Sequence, residues 1–369
     1  LRCIKMLTEE QKKAVLANDR FSQQKLPTVE EIRKAIPKEC FEKSLPVSLA
    51  YMVWDFILLA FLYKIEPVFE LAGIPGMIFW YFIVGMVLSC IFVIGHDCGH
   101  TTFSNYEWVN DLVGHFCHGM IFTPYWPWQK SHRHHHTYTS HLTKDMGHAW
   151  TTEKVFNSWS DFHKFYATKF GFVVTLIGWW FYTIAGIADG SHFWPFSKLF
   201  KNNTERVKCV ISGLVCVAWA TAAFYYFGSF GQWFKFYVLP CIAHSFWLLM
   251  ITYLQHQTDD IQVYEDGTWG YLKGQLQTID RPYGFGIDYI MHHITDGHVA
   301  HHLFFTGIPH YHLMKATAVI KEKLEPFGVY RYQKSPDFLW QLTSLQNRLE
   351  YLVGEGTGLL KYAKTMKDE

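Results

Sequence analysis

Charge of either sign is scarce in this chain. Its 369 residues carry 33 Lys and Arg against 32 Asp and Glu, a formal net charge of +1, and only 18% of residues are charged. Nothing in that balance favours nucleic acid as a partner. Cysteine chemistry is also missing. The eight cysteines include no Cys-x-x-Cys pair, and Cys90, Cys209, Cys216 and Cys241 fall within apolar runs. They read as buried apolar filler and argue against a disulfide framework. No Ser/His/Asp arrangement and no phosphate-cradling glycine loop stands out. No signal peptide is visible in the given sequence, and the chain opens on Leu1 instead of Met, which reads as an incomplete N-terminus. What is abundant is apolar sequence, at 50% of residues, aromatic side chains at 18%, and 21 histidines that lie mostly outside the apolar runs. Long uncharged runs indicate an integral membrane protein.

Five apolar runs organise the chain: residues 48–63, 77–94, 170–188, 207–227 and 236–253. Before them, residues 1–47 form a polar arm with ten Lys and Arg, in which Thr28-Val29-Glu30-Glu31 is a capping-box start for a short helix ending near Pro37. The arm reads as solvated. Gly73, Pro75 and Gly76 suggest a tight connection between the first two runs, making 48–94 one transmembrane hairpin. The segment 228–235 joins the last two runs into a second hairpin, 207–255. Residues 95–206 and 256–369 lie outside the spans.

Three histidine-bearing segments carry the chemistry. His132-Arg133-His134-His135-His136 puts His132, His135 and His136 at i, i+3 and i+4, which is one face of a helix. His298-Val299-Ala300-His301-His302 repeats that spacing with His298, His301 and His302, and His96-Asp97-Cys98-Gly99-His100 places two imidazoles at i and i+4. His134 points away from the shared face and is left out. Eight converging imidazoles exceed what one ion binds, so two metal ions are indicated, and imidazole suits iron, zinc, copper or nickel. His256, at the end of the last apolar run, is a ninth candidate. Asp97, Asp145 and Asp296 lie beside the segments and read either as carboxylates that orient ligand rings or as helix caps and ordinary surface carboxylates. The other histidines, His292 and His293 among them, read as ordinary surface or core residues. If the three segments build one site, an even number of crossings must separate the second from the third. Of the three runs between them, 170–188 is then the one that does not span, and its glycines and Trp179-Trp180 fit a helix lying in the interface. The basic arm and the histidine segments belong on the cytosolic side by the positive-inside rule.

The three segments resemble the histidine boxes of membrane fatty acid desaturases. Leu303-Phe304 with Ile308-Pro309-His310-Tyr311-His312 resembles the methyl-end (Δ12/ω3) subgroup. Trp126-Pro127-Trp128-Gln129-Lys130-Ser131-His132, Asp189-Gly190-Ser191-His192-Phe193-Trp194-Pro195 and Thr278-Ile279-Asp280-Arg281 are closest to its nematode members. The resemblance covers roughly residues 27–345. It implies an all-α integral membrane enzyme with four transmembrane helices in two hairpins and a cytosolic helical cap holding a histidine-rich di-iron site, in the endoplasmic reticulum. Ligand roles carry over to His96, His100, His132, His135, His136, His298, His301 and His302, with His256 in the place of a further metal-binding histidine. Where relatives have an asparagine contributing through water, this chain has Thr252. The implied reaction inserts a cis double bond toward the methyl end of an acyl chain on phospholipid or CoA, oleoyl to linoleoyl in type. It consumes O2 and electrons delivered by cytochrome b5 and its reductase. No fused cytochrome b5 domain is present, since its His-Pro-Gly-Gly signature is absent, so the donor is a separate protein. Alternatives are an ω3 desaturase, a hydroxylase on the same scaffold and, in a different class, a histidine-rich metal transporter, which would need ligands inside the spans. Only His244 lies inside a run.

Overall fold

The computed structural model describes residues 19–21, 24–187 and 189–363. The first eighteen residues of the polar arm, residue 188 at the end of the third apolar run and residues 364–369 lie outside the described residues. Four described helices are long and apolar enough to cross a membrane: α1 (Leu45–Lys64), α2 (Gly73–Gly99), α5 (Asn203–Phe227) and α6 (Phe230–His256). At 1.5 Å per residue α1 is about 30 Å long, the thickness of a bilayer core. These helices keep their apolar side chains outward as well as inward: Trp54, Ile57, Phe61, Leu214 and Val217 are exposed. Such faces suit lipid.

α2 and α6 form the buried pair, and α1 and α5 flank them. Small residues allow the close approach. A Cβ on Gly85 would lie 2.5 Å from the Ala243 carbonyl carbon and 2.6 Å from its Cβ, so only glycine lets these backbones meet. Trp247 Nε1 donates to the Phe82 carbonyl at 2.7 Å across the same contact, and Trp80 Nε1 donates to Leu62 at 2.8 Å, tying α1 to α2. The connection between α1 and α2 differs from the expected Gly73-Pro75-Gly76 turn. Those residues begin α2, and a short helix, Glu66–Glu70, makes the link. Pro75 is tolerated there because the first-turn N–H groups of a helix have no intrahelical partner.

The third apolar run forms α4, Gly171–Ala185, whose last five residues are a π turn. It packs on α6, where Gly178 faces Leu249. The second histidine segment lies on α3, Tyr125–Tyr138, and the third on the short α7, His298–Leu303. A small antiparallel sheet, absent from the all-α expectation, closes the polar side. Its strands β1 (Val263–Tyr264), β2 (Leu352–Val353) and β3 (Leu359–Tyr362) lie in the order β1-β3-β2. The capping box forms as expected: Thr28 Oγ1 accepts the Glu31 N–H at 3.2 Å and Glu31 Oε2 accepts the Thr28 N–H at 2.7 Å. The described part of the arm is not simply solvated, however. Ile32 and Ile36 are buried with Val299, Leu303, Ala316 and Ile320, because the short helix carries one apolar edge that needs cover.

Candidate metal centre

The end of each buried span delivers a histidine. α2 runs unbroken through the first segment, so His96 sits in its last turn and His100 caps it. His256 is the last residue of α6. α3 is helical across the second segment, as its spacing requires, and its three aligned imidazoles reach inward.

The nine candidates converge, and they sort into two sets. His96, His100, His132, His136 and His301 bring one ring nitrogen each to within 4.8 Å of one another, and His135, His256 and His302 do the same beside them. His298 joins the second set, its Nε2 lying 3.1 Å from His256 Nε2. Helical geometry explains the split. His132 and His136 are four apart and enter one set, while His135 is turned enough to enter the other. His301 and His302 divide in the same way. His134 is exposed, its ring tilted beside that of Tyr138 at 4.9 Å, away from both sets.

Ring orientation is set from outside. His135 Nδ1 pairs with Asp145 Oδ1 at 2.6 Å, His302 Nδ1 with Gln275 Oε1 at 3.0 Å and His298 Nδ1 with the Ile294 carbonyl at 3.2 Å. Each Nδ1–H is thereby committed outward, which leaves Nε2 as the free donor of a lone pair. Asp97 lies 3.6 Å from His96 Nδ1 but takes its short contact from His310, at 2.9 Å. Asp296 pairs with His293 and touches no candidate ligand. Thr252 Oγ1 bonds back to Leu248 and Leu249 of its own helix, which keeps it out of the site. Nothing in the local sequence marks Gln275 or His292 as neighbours of the site, and His310 stands out only within the Ile308-Pro309-His310-Tyr311-His312 stretch, which says nothing of its contact with Asp97.

These residues fit metal ions. The His136 and His132 Nε2 atoms are 3.1 Å apart, as are those of His301 and His136. Two nitrogens each ~2.1 Å from one ion, at near-right angles, would be ~3 Å apart. His100 is buried with neither ring nitrogen hydrogen-bonded, and His136 Nδ1 is also unpaired. Burial, followed by the crowding of neighbouring imidazoles, holds His100, His132, His136, His301 and His302 well below the ordinary histidine value. Burial brings His298 down to about 3. All are therefore neutral at pH 7, which is the ligand form. No carboxylate enters either set.

Comparison with known proteins gives one consistent answer. A family model described as fatty acid desaturase matches residues 72–335. The chain is 48% identical to the Delta(12) fatty acid desaturase fat-2 of Caenorhabditis elegans, covering 91% of this chain and 91% of that one. It is 43% identical to the omega-3 fatty acid desaturase fat-1 of the same animal, over 93% and 86%. A third relative, at 33% identity over 84% and 83%, is an "omega-6 fatty acid desaturase, endoplasmic reticulum" of Brassica juncea.

Proposed function

The chain belongs to the fatty acid desaturase family, whose members carry out O2-dependent desaturation, and from that premise we propose a Δ12 reaction at a histidine-bound pair of irons. The substrate is an oleoyl-type chain on phospholipid or CoA. One CH2–CH2 unit, one O2, two electrons and two protons give one cis CH=CH unit and two waters. The observation that carries this reading is the convergence of nine imidazoles, eight buried and His132 half-buried, in two adjoining sets. His96, His100, His132, His136 and His301 would hold one ion, and His135, His256, His298 and His302 the other. The bound metals supply the O2 activation and C–H cleavage that side chains cannot perform.

The protein's own contribution is to hold, orient and keep dry. Asp145, Gln275 and the Ile294 carbonyl fix three rings with their Nε2 atoms inward. Trp128 stacks on His132 at 4.6 Å, and Phe305 lies 5.2 Å from His100 and 4.8 Å from His136. These aromatic walls exclude bulk water and suit an alkyl chain.

Electrons come from a separate donor, cytochrome b5 with its reductase, docking on the histidine-bearing face. That face is cytosolic and the membrane is the endoplasmic reticulum, in keeping with the printed name of the Brassica relative. The lie of α4 supports a four-span topology. At about 22 Å it is short for a crossing. Near its start Thr175 Oγ1 accepts from Gln346, beyond the third histidine segment, and near its end Tyr182 bonds Ser131 on α3. Both ends thus meet histidine-side elements. A transporter reading loses its ground, because His244, the one histidine deep in a span, bonds Ser89 at 2.8 Å and the other candidates gather at one end of the bundle.

Fatty acid analysis by gas chromatography after expression in yeast tests regiochemistry. A linoleoyl product from endogenous oleoyl chains supports Δ12. Conversion of supplied linoleoyl chains alone supports ω3, the activity printed for the 43%-identical relative. A hydroxylated product would refute both.

A further inference from the structure

Below the metal centre lies a second buried polar group that the ligand sets do not use. Asp55, in the middle of α1, is fully buried. A carboxylate within a span is costly unless it is paired and serves a purpose. Its Oδ2 accepts from His292 Nε2 at 2.8 Å. His292 holds a left-handed backbone, φ 55°, which is disfavoured for any residue but glycine. Its ring lies 4.7 Å from that of His310, and both rings meet the Tyr51 ring edge-on, at 5.3 Å and 4.6 Å. His310 in turn gives Asp97 Oδ2 both its Nδ1–H, at 2.9 Å, and its backbone N–H, at 3.1 Å. The other oxygen of Asp97 faces His96 Nδ1 at 3.6 Å.

Four buried atoms along this line have no hydrogen-bond partner among the described residues: Asp55 Oδ1, His292 Nδ1, His310 Nε2 and His96 Nδ1. Buried polar atoms are seldom left so, and a single water needs two to four such partners. A third metal is a poorer occupant, although Cys90 also lies near Asp55 and His292. Asp55 and His292 already satisfy one another, and Cys90 Sγ is spent on the Met86 carbonyl at 3.3 Å.

We infer that Asp55, His292, His310 and Asp97 form one buried polar line, hydrogen-bonded at Asp55–His292 and at His310–Asp97 and closed by water between the two imidazoles, whose last carboxylate stands 3.6 Å from His96 Nδ1 and orients that ring by charge. The four are positioning residues, acting on the metal through a ligand they do not replace. The line joins the first span to the end of the second, so the packing of α1 is felt at one ion and not the other. The inference rests on His96 being a metal ligand, as proposed above.

A double-mutant cycle on the full-length membrane enzyme tests it, with Asp55→Asn and His310→Gln. These two residues touch different members of the line. Each single variant is expected to lower kcat at least tenfold, with KM for the acyl substrate within twofold and both irons retained. The double variant should fall within threefold of the worse single, because a line broken once is broken. Mössbauer spectra should change for one iron environment only. Multiplying effects, unchanged turnover, an unchanged spectrum, or a third metal ion lost on Cys90→Ser would overturn the inference. If Asp55→Asn does not accumulate, His292→Gln with His310→Gln makes the same cycle, and failure of both cycles to yield folded protein would mean the line is only a structural pin. Wild-type enzyme without iron would instead sink the metal-centre reading itself.

Discussion

Replacing Asp145 by Asn removes a charge and almost no volume, so its effect isolates the support of one ligand. The Asp145 side chain is fully buried. Its Oδ1 accepts from His135 Nδ1 at 2.6 Å and its Oδ2 from the Ser140 backbone N–H at 2.9 Å. An asparagine has one acceptor oxygen, so one of these donors must face an NH2 group. Leaving a buried donor unpaired costs about 1–3 kcal/mol. Loss of an outer partner of a metal-bound imidazole typically lowers metal affinity ~10–100-fold, or about 1.4–2.7 kcal/mol. The two ranges overlap. Purified enzyme in detergent would be titrated with a chelator and its residual metal measured. Asp145→Asn should release one ion at ~10–100-fold lower chelator concentration and hold the other as the wild type does. Asp296→Asn, whose side chain hydrogen-bonds His293 and no candidate ligand, should match the wild type. Equal behaviour of the Asp145 variant and the wild type would refute the reasoning, as would loss of both ions together.

Changing any of His100, His132, His136, His301 or His302 to Ala should abolish turnover in a yeast product assay with membrane insertion intact. His134→Ala should keep most of the activity, because its exposed ring faces Tyr138. Retention of near wild-type turnover by one of the five, or loss of metal from His134→Ala, would contradict the two-set assignment. Acid should strip the site. His100, His132, His136, His301 and His302 all lie below the ordinary value of 6.5 in the folded state, so unfolding takes up protons. Their contribution to stability is full above pH ~6.5 and is lost as pH falls below it. Metal retention and denaturant midpoints measured from pH 8 to 5 should both decline, and a flat profile would count against neutral ligation. Topology is tested at Asn202-Asn203-Thr204, at the head of α5, where Asn202 caps the helix by accepting the Glu205 N–H at 3.0 Å. In microsomes Asn202 should stay unglycosylated, with an engineered sequon farther from the membrane as a check. A glycosylated band from active enzyme would overturn the four-span arrangement.

The convergence of the candidate histidines was legible because helical periodicity is local. Three imidazoles at i, i+3 and i+4 must share a face wherever the helix lies, and His134 fails that test by two residues. Apolar length marked five runs, and only the requirement that the histidine segments share one side set 170–188 apart from the four long helices. The division into two sets was not legible, since it depends on how α3 and α7 face each other across the site. The supporting shell was equally hidden. Asp145 was visible only as a carboxylate near a box, and nothing marks Gln275 as the partner of His302, 27 residues away in sequence. Gly73 and Pro75 misled because the residues that make turns also open helices. The sheet was invisible because strands of two to four residues carry no periodicity of their own.

The most direct test is a count of metal in active, purified enzyme, by elemental analysis alongside turnover with an oleoyl substrate and a reduced donor. Nine imidazoles in sets of five and four predict about two irons per chain, with O2 consumed as linoleoyl product forms. One ion per chain, or zinc throughout with no O2 consumption, would contradict the account.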